Sequence, residues 1–465
     1  MKTKESQYKE IIPGLLSSDQ AYEFRLVPFD TSIKGVHCYT DLDRSQEALN
    51  ELRVLLGIEL LLFAIPTVDF EVLLTQNFYT SIAQEQQMVD SDDLLDQILA
   101  TAHAINSSDV HFEIFKNTTR VRFRMDGKLK EFFSVEPKDY PSIINKIKIK
   151  AQLDIAEKRL PQDGRISLET QDGEVIDLRV SSLPTLYGEK LVLRILSRNN
   201  VTLKLDHLGF STPDLLQYKK TMKRSQGIVL ISGPTGSGKT TTLYATLKEL
   251  NKPHTNIVTI EDPIEYTLEG INQVQLKESI GLTFPNALRS FLRQDPDIIM
   301  VGEIRDEKTA QMAIRAALTG HLVFATLHTN SAWASISRLI DMGIPSFLIL
   351  ETLQLSLAQR LIRKLCTHCR KKVKTIPELQ PKPPFEFHYT ATGCSSCHHT
   401  GYSGRIAIYE LLPMQMALKT AFNKPHPNPE VYREQHPYST LKEQAWEVVA
   451  SGVTSIEEVY SLIAF

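Results

Sequence analysis

The run Gly233-Pro234-Thr235-Gly236-Ser237-Gly238-Lys239-Thr240 fits the pattern G-x-x-x-x-G-K-[ST], a loop that cradles phosphates. Glycines let such a loop curl until successive N–H groups point at phosphate oxygens. Lys239 adds a point charge at the β- and γ-phosphates, and the Thr240 hydroxyl can ligate Mg²⁺. Thr241 follows in the first turn of the next segment, where a helix N-terminus attracts anions. The pattern carries meaning only between a strand and a helix. Residues 227–232 are an apolar strand-like run, and 241–247 open a helical one. The loop therefore reads as a nucleoside-triphosphate site.

A second group of residues could act on that ligand. Residues 298–301 are apolar and lead through Gly302 to Glu303. A carboxylate at a strand tip can hold the water shell of Mg²⁺ or orient an attacking water. Its bland alternative is a solvated loop acid. A second acidic cluster, Glu261-Asp262-Pro263-Ile264-Glu265, follows the apolar run 257–260. Two strands ending in acids fit the rule that ligands bind at the carboxyl ends of parallel strands; ordinary Asp-Pro turn chemistry is the competing reading. His321 precedes the run 322–325 and His328 follows it. His328 stands at the ligand end, where it can bond a γ-phosphate. His321 falls at the opposite end on this simple reading.

Four of the five cysteines form Cys366-x₂-Cys369 and Cys394-x₂-Cys397. Each C-x₂-C turn can aim two thiolates at one ion, and two turns complete a tetrahedron. With all four positions filled, the expectation is structural Zn²⁺ rather than a redox pair. His368, His398 and His399 are further possible ligands. Cys38 has no partner and reads as a small core residue.

The elements that must position these groups follow from the patterning. At 465 residues the chain has room for about three domains. It is 42% apolar and 23% charged, an ordinary soluble composition. A net charge of −3 argues against a whole-chain nucleic-acid footprint. The polar start lacks a signal peptide. The apolar stretch 55–65, broken by Glu59, is about half a membrane span. The expectation is a cytoplasmic chain, brought to a membrane only by partners. Residues 1–80 form a short α/β module with an amphipathic segment at 45–56, and 81–92 a polar linker. Period-two alternation at 110–114, 120–125, 164–168, 175–180 and 190–196, with helices from Ser91 and at 143–149, makes 91–198 an α+β domain. Residues 199–202 read as a joint. From 204 to 360 strands alternate with helical patterns, the signature of a parallel sheet. Residues 361–410 hold the cysteines, with a Pro- and Lys-rich loop at 371–384, and 411–465 read as helical.

Longer stretches resemble one family. They include Ser108-Asp109-Val110-His111-Phe112-Glu113, Arg159-Leu160-Pro161-Gln162-Asp163-Gly164-Arg165, Gly302-Glu303-Ile304-Arg305-Asp306, Thr326-Leu327-His328-Thr329-Asn330 and Thr400-Gly401-Tyr402-Ser403-Gly404-Arg405. The chain resembles, strongly over 91–465 and weakly before, the ATPases that power type II secretion and type IV pilus assembly. The resemblance implies a PAS-like domain joined to a RecA-like ATPase domain, a homo-hexameric ring, and ATP as substrate. It implies as partners an inner-membrane platform protein and a membrane-anchored recruiter, with pseudopilus or pilus assembly as the output. By motif, Arg179 and Arg194 correspond to arginines that reach the γ-phosphate, Glu261 and Glu265 to the family's acidic box, and His321 and His328 to its histidine box. Two departures stand out. Residues 22–79 resemble only the last part of the family's recruitment region, and Asn330-Ser331 replaces a commoner Asn-Asp or Asn-Asn pair.

Several other functions compete with this reading. Pilus assembly or DNA uptake would use the same motor with other partners. A retraction ATPase would lack the four-cysteine insertion. A nucleic-acid translocase would need a basic groove and stacking aromatics, and two tryptophans with a slightly acidic chain argue against direct nucleic-acid binding. A non-hydrolysing scaffold would not need Lys239, Thr240 and Glu303 together.

Overall fold

The computed structural model describes residues 8–9, 11–12, 15–32, 34–78, 91–169, 175–196, 204–375, 384–422 and 427–463. The joint read at 199–202, and the linker read at 81–92 as far as residue 90, lie outside the described residues. The chain divides into two compact units, residues 1–66 with 203–465, and residues 67–202.

The first unit opens with α1 (Ser18–Phe24), β1 (Val27–Ser32), β2 (Gly35–Thr40), α2 (Gln46–Leu56) and β3 (Leu60–Ala64). Ser17 and Gln20 close a capping box on α1, and the Ser45 hydroxyl accepts the Ala48 N–H to start α2. β2 pairs antiparallel with β1 and parallel with β3. Cys38 lies fully buried in this small core with Leu26, Leu52, Leu56 and Leu60, as its lack of a partner suggested.

The second unit holds α3 (Thr67–Phe78), α4 (Ser91–Ala104), β4 (Asp109–Ile114), β5 (Thr119–Met125), β6 (Lys128–Phe133), α5 (Tyr140–Lys150), β7 (Gln162–Glu169), β8 (Val175–Thr185) and β9 (Gly188–Leu196). The strands form an antiparallel sheet in the order β6-β5-β4-β9-β8-β7. Its apolar positions, Val110, Phe112, Val121, Phe123, Leu191 and Leu193, form one core with Leu95, Ile98, Ile143 and Ile147 of α4 and α5. The expectation is an α+β domain; the observed arrangement is two-layered, helices on one face of the sheet and polar residues on the other. Inside it, Lys148 is fully buried and its Nζ reaches Glu189 Oε1 at 2.9 Å.

The first unit resumes with α6 (Thr212–Thr221), β10 (Gly227–Ser232), α7 (Lys239–Leu250), β11 (Ile257–Glu261), β12 (Asn272–Gln275), α8 (Phe284–Phe291), β13 (Ile298–Val301), α9 (Glu307–Leu318), β14 (Leu322–Leu327), α10 (Ala332–Asp341), α11 (Ser346–Thr352) and β15 (Leu353–Leu365). After these come β16 (Lys371–Lys374), β17 (Phe387–Thr390), β18 (Tyr402–Pro413), α12 (Met416–Phe422), α13 (Pro429–Gln435), α14 (Leu441–Ala450) and α15 (Ile456–Ile463). Seven strands build the main sheet in the order β12-β11-β13-β14-β10-β15-β18. Six run parallel, and β18 alone is antiparallel, against β15. β10, β11, β13 and β14 are buried along their length and mostly apolar, as strands covered on both faces must be. The sheet crosses the boundaries read at 360 and 410, because β15 and β18 extend it through both.

Lys371–Lys374, read as loop, is a strand. It pairs with β17, and the Lys372 ammonium lies 4.4 Å from the Phe387 ring centroid. The lysine-rich run hid a two-stranded ribbon whose second strand begins 13 residues after the first ends. The module that opens this unit is also placed here. α2 packs on α15, and Gly57, at its end, touches the buried His388 ring on β17.

Candidate nucleotide and metal sites

The phosphate loop bridges β10 and α7. Gly233 has φ +151°, and a Cβ there would stand 2.5 Å from the Gln359 carbonyl oxygen and 2.6 Å from Ser237 Oγ. Gly238, the cap of α7, has φ +85°. Side chains at these positions would close or distort the cradle, so the loop is built to bring bare backbone against a ligand. α7 starts at Lys239, which leaves the N–H groups of its first turn, including Thr240 and Thr241, directed at the loop. Lys239 Nζ donates to the Gly233 and Pro234 carbonyls at 2.7 and 3.0 Å. Burial lowers its pKa, Glu303 counters that, and Arg360 adds to it.

The parallel register brings the other groups to the same edge. Ser232 pairs with Leu327, so Gly233 and His328 leave adjacent strands side by side. Ile260 pairs with Val301, so Glu261 and Glu303 emerge together. The Thr326 hydroxyl donates to the Gly302 carbonyl at 2.5 Å, and Ile304 N–H to the Thr326 carbonyl at 2.9 Å, which fixes the Glu303 backbone. His328 Nε2 lies 3.5 Å from Glu303 Oε2, and Arg305 pairs with the other oxygen. Arg305 also lies 3.4 Å from Asp262.

The remaining sequence-read residues divide. Glu261 is buried behind the edge, where its carboxylate accepts from Tyr244, from Thr259 Oγ1 at 2.5 Å and from Gln273 Nε2 at 3.1 Å. Glu265 is half-buried beside it, its N–H 3.4 Å from the Tyr244 hydroxyl. His321 is at the amino end of β14, with Nδ1 2.9 Å from the Ala316 carbonyl. Its own carbonyl accepts the Gly227 N–H at the start of β10. The structure thus places His321 at the far end of the sheet from the loop, as the strand reading alone implied. Arg179 and Arg194 are paired neighbours on β8 and β9 of the other unit. They stand in one row, Arg165, Arg179, Arg194, Asp109, Arg124, across five strands. Arg194 Nε donates to Asp109 Oδ1 at 3.1 Å.

Two residues escaped the sequence reading. Gln359 is buried on β15, accepts the Thr242 hydroxyl of α7 at 2.8 Å and lines the phosphate loop. Arg360 follows it and bonds Asn330. The signal in the sequence was the adjacent Gln359-Arg360 pair in the strand-like run 353–362, which also carries Gln354 and Ser356.

The four cysteines converge. All their sulfurs lie within 4.8 Å of one another. Cys366–Cys394, Cys369–Cys397 and Cys394–Cys397 are 3.9, 3.8 and 3.8 Å apart. Zn–S bonds of about 2.3 Å give tetrahedral edges of about 3.8 Å, so the set fits Zn²⁺. The N–H groups of Cys394 and Gly401 both point at Cys397 Sγ from 3.2 Å. Burial pushes the Cys394 thiol up, but hydrogen bonds from the Cys397 N–H, the Cys397 thiol and the Ser396 N–H outweigh it and bring it to about 7. Such donors favour a thiolate at Cys394, whereas burial pushes the Cys366 and Cys369 thiols up, the latter to about 12, so a bound metal would have to displace their protons. His368 lies beside Cys366, with Nδ1 3.9 Å from the sulfur, and the converging set among the described residues is the cysteines alone.

Comparison with known proteins gives this geometry its family. A family model described as Type II/IV secretion system protein matches residues 84–461. The chain is 40% identical to the type II secretion system ATPase E of Vibrio cholerae, over 89% of this chain and 90% of that protein. It is 46% identical to the type IV pilus assembly ATPase PilB of Myxococcus xanthus, over 79% of this chain and 66% of that one. Among solved structures, the ATPase DotB of Legionella pneumophila shares the fold, with a TM-score of 0.62 at 21% identity, over 82% of this chain and 98% of that one. The chain belongs to the type II/IV secretion system protein family, and it is an ATPase with a RecA-like core.

Proposed function

We propose that this chain is the ATP-hydrolysing motor of a type II protein secretion machine. It works as a homo-hexameric cytoplasmic ring, held at the inner membrane by a platform protein and a membrane-anchored recruiter. The observation that carries this reading is the reach of the likeness to the Vibrio cholerae secretion ATPase. It spans 90% of that protein and extends beyond the residues that the family model matches. The 46% identity to PilB favours a second reading, type IV pilus assembly.

In this reading the first-turn N–H groups of α7 and Lys239 hold the β- and γ-phosphates, and Thr240 ligates Mg²⁺. The metal, when bound, supplies positive charge against the phosphate oxygens. Glu303 orients the attacking water, and His328 holds that carboxylate in register with the γ-phosphate. Glu261 and Glu265 act from behind, through the Tyr244 and Gln273 network, and keep the strand end rigid. Arg179 and Arg194 bring guanidinium charge to the transferring phosphoryl group, coupling turnover to domain motion. His321 takes a structural part. The four cysteines hold Zn²⁺ as a staple.

The test is capture from inner membranes with the full chain as bait. Recovery of a type II secretion platform or its membrane-anchored recruiter supports the proposal. Recovery of a pilus platform instead transfers the motor to pilus assembly, and recovery of neither contradicts both.

A further inference from the structure

β15 runs beside the phosphate loop, yet its Gln359-Arg360 pair takes no part in the roles above. We infer that Arg360 is a positioning residue for ATP hydrolysis: its guanidinium ties the loop carrying His328 to the strand that backs the phosphate loop. The inference rests on the reading of Glu303 as the group that orients water.

Arg360 Nη2 donates to the Asn330 carbonyl at 3.0 Å and approaches Asn330 Oδ1 at 3.3 Å. Nη1 donates to the Gln359 carbonyl at 3.0 Å. That same carbonyl oxygen stands where a side chain on Gly233 would have to go. The Gln359 side chain accepts from Thr242 in the first turn of α7, and its Nε2 faces Gly238. One planar guanidinium therefore joins the segment two residues past His328 to the residue that lines both glycines of the phosphate pattern. A planar fork can serve two carbonyls at once, whereas an ammonium on a flexible stem offers only a point charge.

The same segment is held from behind. Ala332 N–H donates to the buried Glu410 carboxylate at 2.8 Å, and Glu410 also accepts the Leu441 N–H at 3.3 Å. Glu410 pairs in register with Ala358 on β15. Within residues 328–332, Asn330 is thus held from β15 and Ala332 from β18, the strands added at the edge of the sheet. His328 Nε2 stands 3.5 Å from Glu303 at the start of this twice-held segment. Loosening that loop should disturb the reacting geometry and leave the phosphate cradle in place, since Gln359 is also held by its register with Tyr409 on β18 and by the Thr242 hydroxyl.

The test compares Arg360→Ala, Arg360→Lys, His328→Ala and the Arg360→Ala/His328→Ala double variant, each in the full chain. The readouts are kcat and KM for ATP, Kd for a fluorescent ADP analogue, and Tm. For Arg360→Ala we expect kcat to fall about tenfold to a hundredfold, the scale of a displaced catalytic group. KM and the ADP Kd should stay within about twofold, and Lys should not restore the rate. In the His328→Ala background, Arg360→Ala should cost little more, because both act through one loop. An unchanged kcat, a loss confined to KM or ADP affinity, rescue by Lys, or fully additive losses would each overturn the inference. If Arg360→Ala does not fold, Arg360→Lys carries the test alone. Glu303→Gln runs beside these variants. Normal turnover there sinks the reading of the site itself, whereas a dead Glu303→Gln with a normal Arg360→Ala sinks only this inference.

Discussion

Alanine at Gly233 and alanine at Gly236 should have unequal effects, although both glycines lie in the same loop with positive φ. At Gly233 the new Cβ would lie 2.5 Å from the Gln359 carbonyl oxygen, which belongs to a buried strand and cannot retreat. Its φ of +151° lies in a region almost confined to glycine, worth about 1–3 kcal/mol of strain before any overlap is counted. The variant loop will relax to another shape, and binding must restore the cradle. At about 1.4 kcal/mol per decade, nucleotide affinity should fall roughly tenfold to a hundredfold or more. At Gly236 φ is +80°, and no heavy atom lies within 4 Å of the added Cβ. Only the left-handed penalty of about 1–2 kcal/mol remains, so the loss should stay between about fivefold and thirtyfold and below that at Gly233. Titration of a fluorescent ADP analogue against both variants, with Tm as a folding check, measures the difference. Equal losses, or a larger one at Gly236, would refute the argument that the Gln359 carbonyl shapes the cradle.

Cys394→Ser should lower bound zinc, measured by elemental analysis, and reduce thermal stability, while leaving the ADP Kd unchanged; full zinc stoichiometry would contradict the ligand set. Burial holds the His388 imidazole down at about 4, against an ordinary 6.5. The unfolded chain therefore takes up a proton that the folded one refuses, so stability is complete above pH 6.5 and declines as pH falls toward 4. The loss approaches about 3 kcal/mol. Urea unfolding of wild type and His388→Gln should diverge across that window, and parallel profiles would count against it. Arg194→Ala should abolish turnover and spare ADP binding. Asp109 is not orphaned by that change, because Arg124 Nε lies 3.3 Å from its other oxygen; lost ADP binding would contradict the charge-supplying role.

The parts of the site that lie close together in the chain were legible in advance. The phosphate loop, the strand ending at Glu303 and the paired C-x₂-C turns each sit within a few residues, so spacing alone exposes their geometry. The four core strands read at 228–231, 257–260, 298–301 and 322–325 all formed, because fully buried parallel strands are unbroken apolar runs. What depended on distant partners was hidden. Gln359 and Arg360 matter only because β15 lies next to β10, a neighbour more than a hundred residues earlier. Glu261 resembles a metal-facing acid until Tyr244 and Gln273 close on it from α7 and β12. The contact of Gly57 with His388 joins residues separated by most of the chain.

The central claim is that ATP is hydrolysed at the carboxyl edge of the main sheet with Glu303 orienting the water. Steady-state phosphate release by wild type and Glu303→Gln, with ADP-analogue binding measured on the same samples, tests it most directly. The account predicts near-complete loss of turnover with nucleotide binding retained. Turnover at the wild-type rate in Glu303→Gln would contradict it.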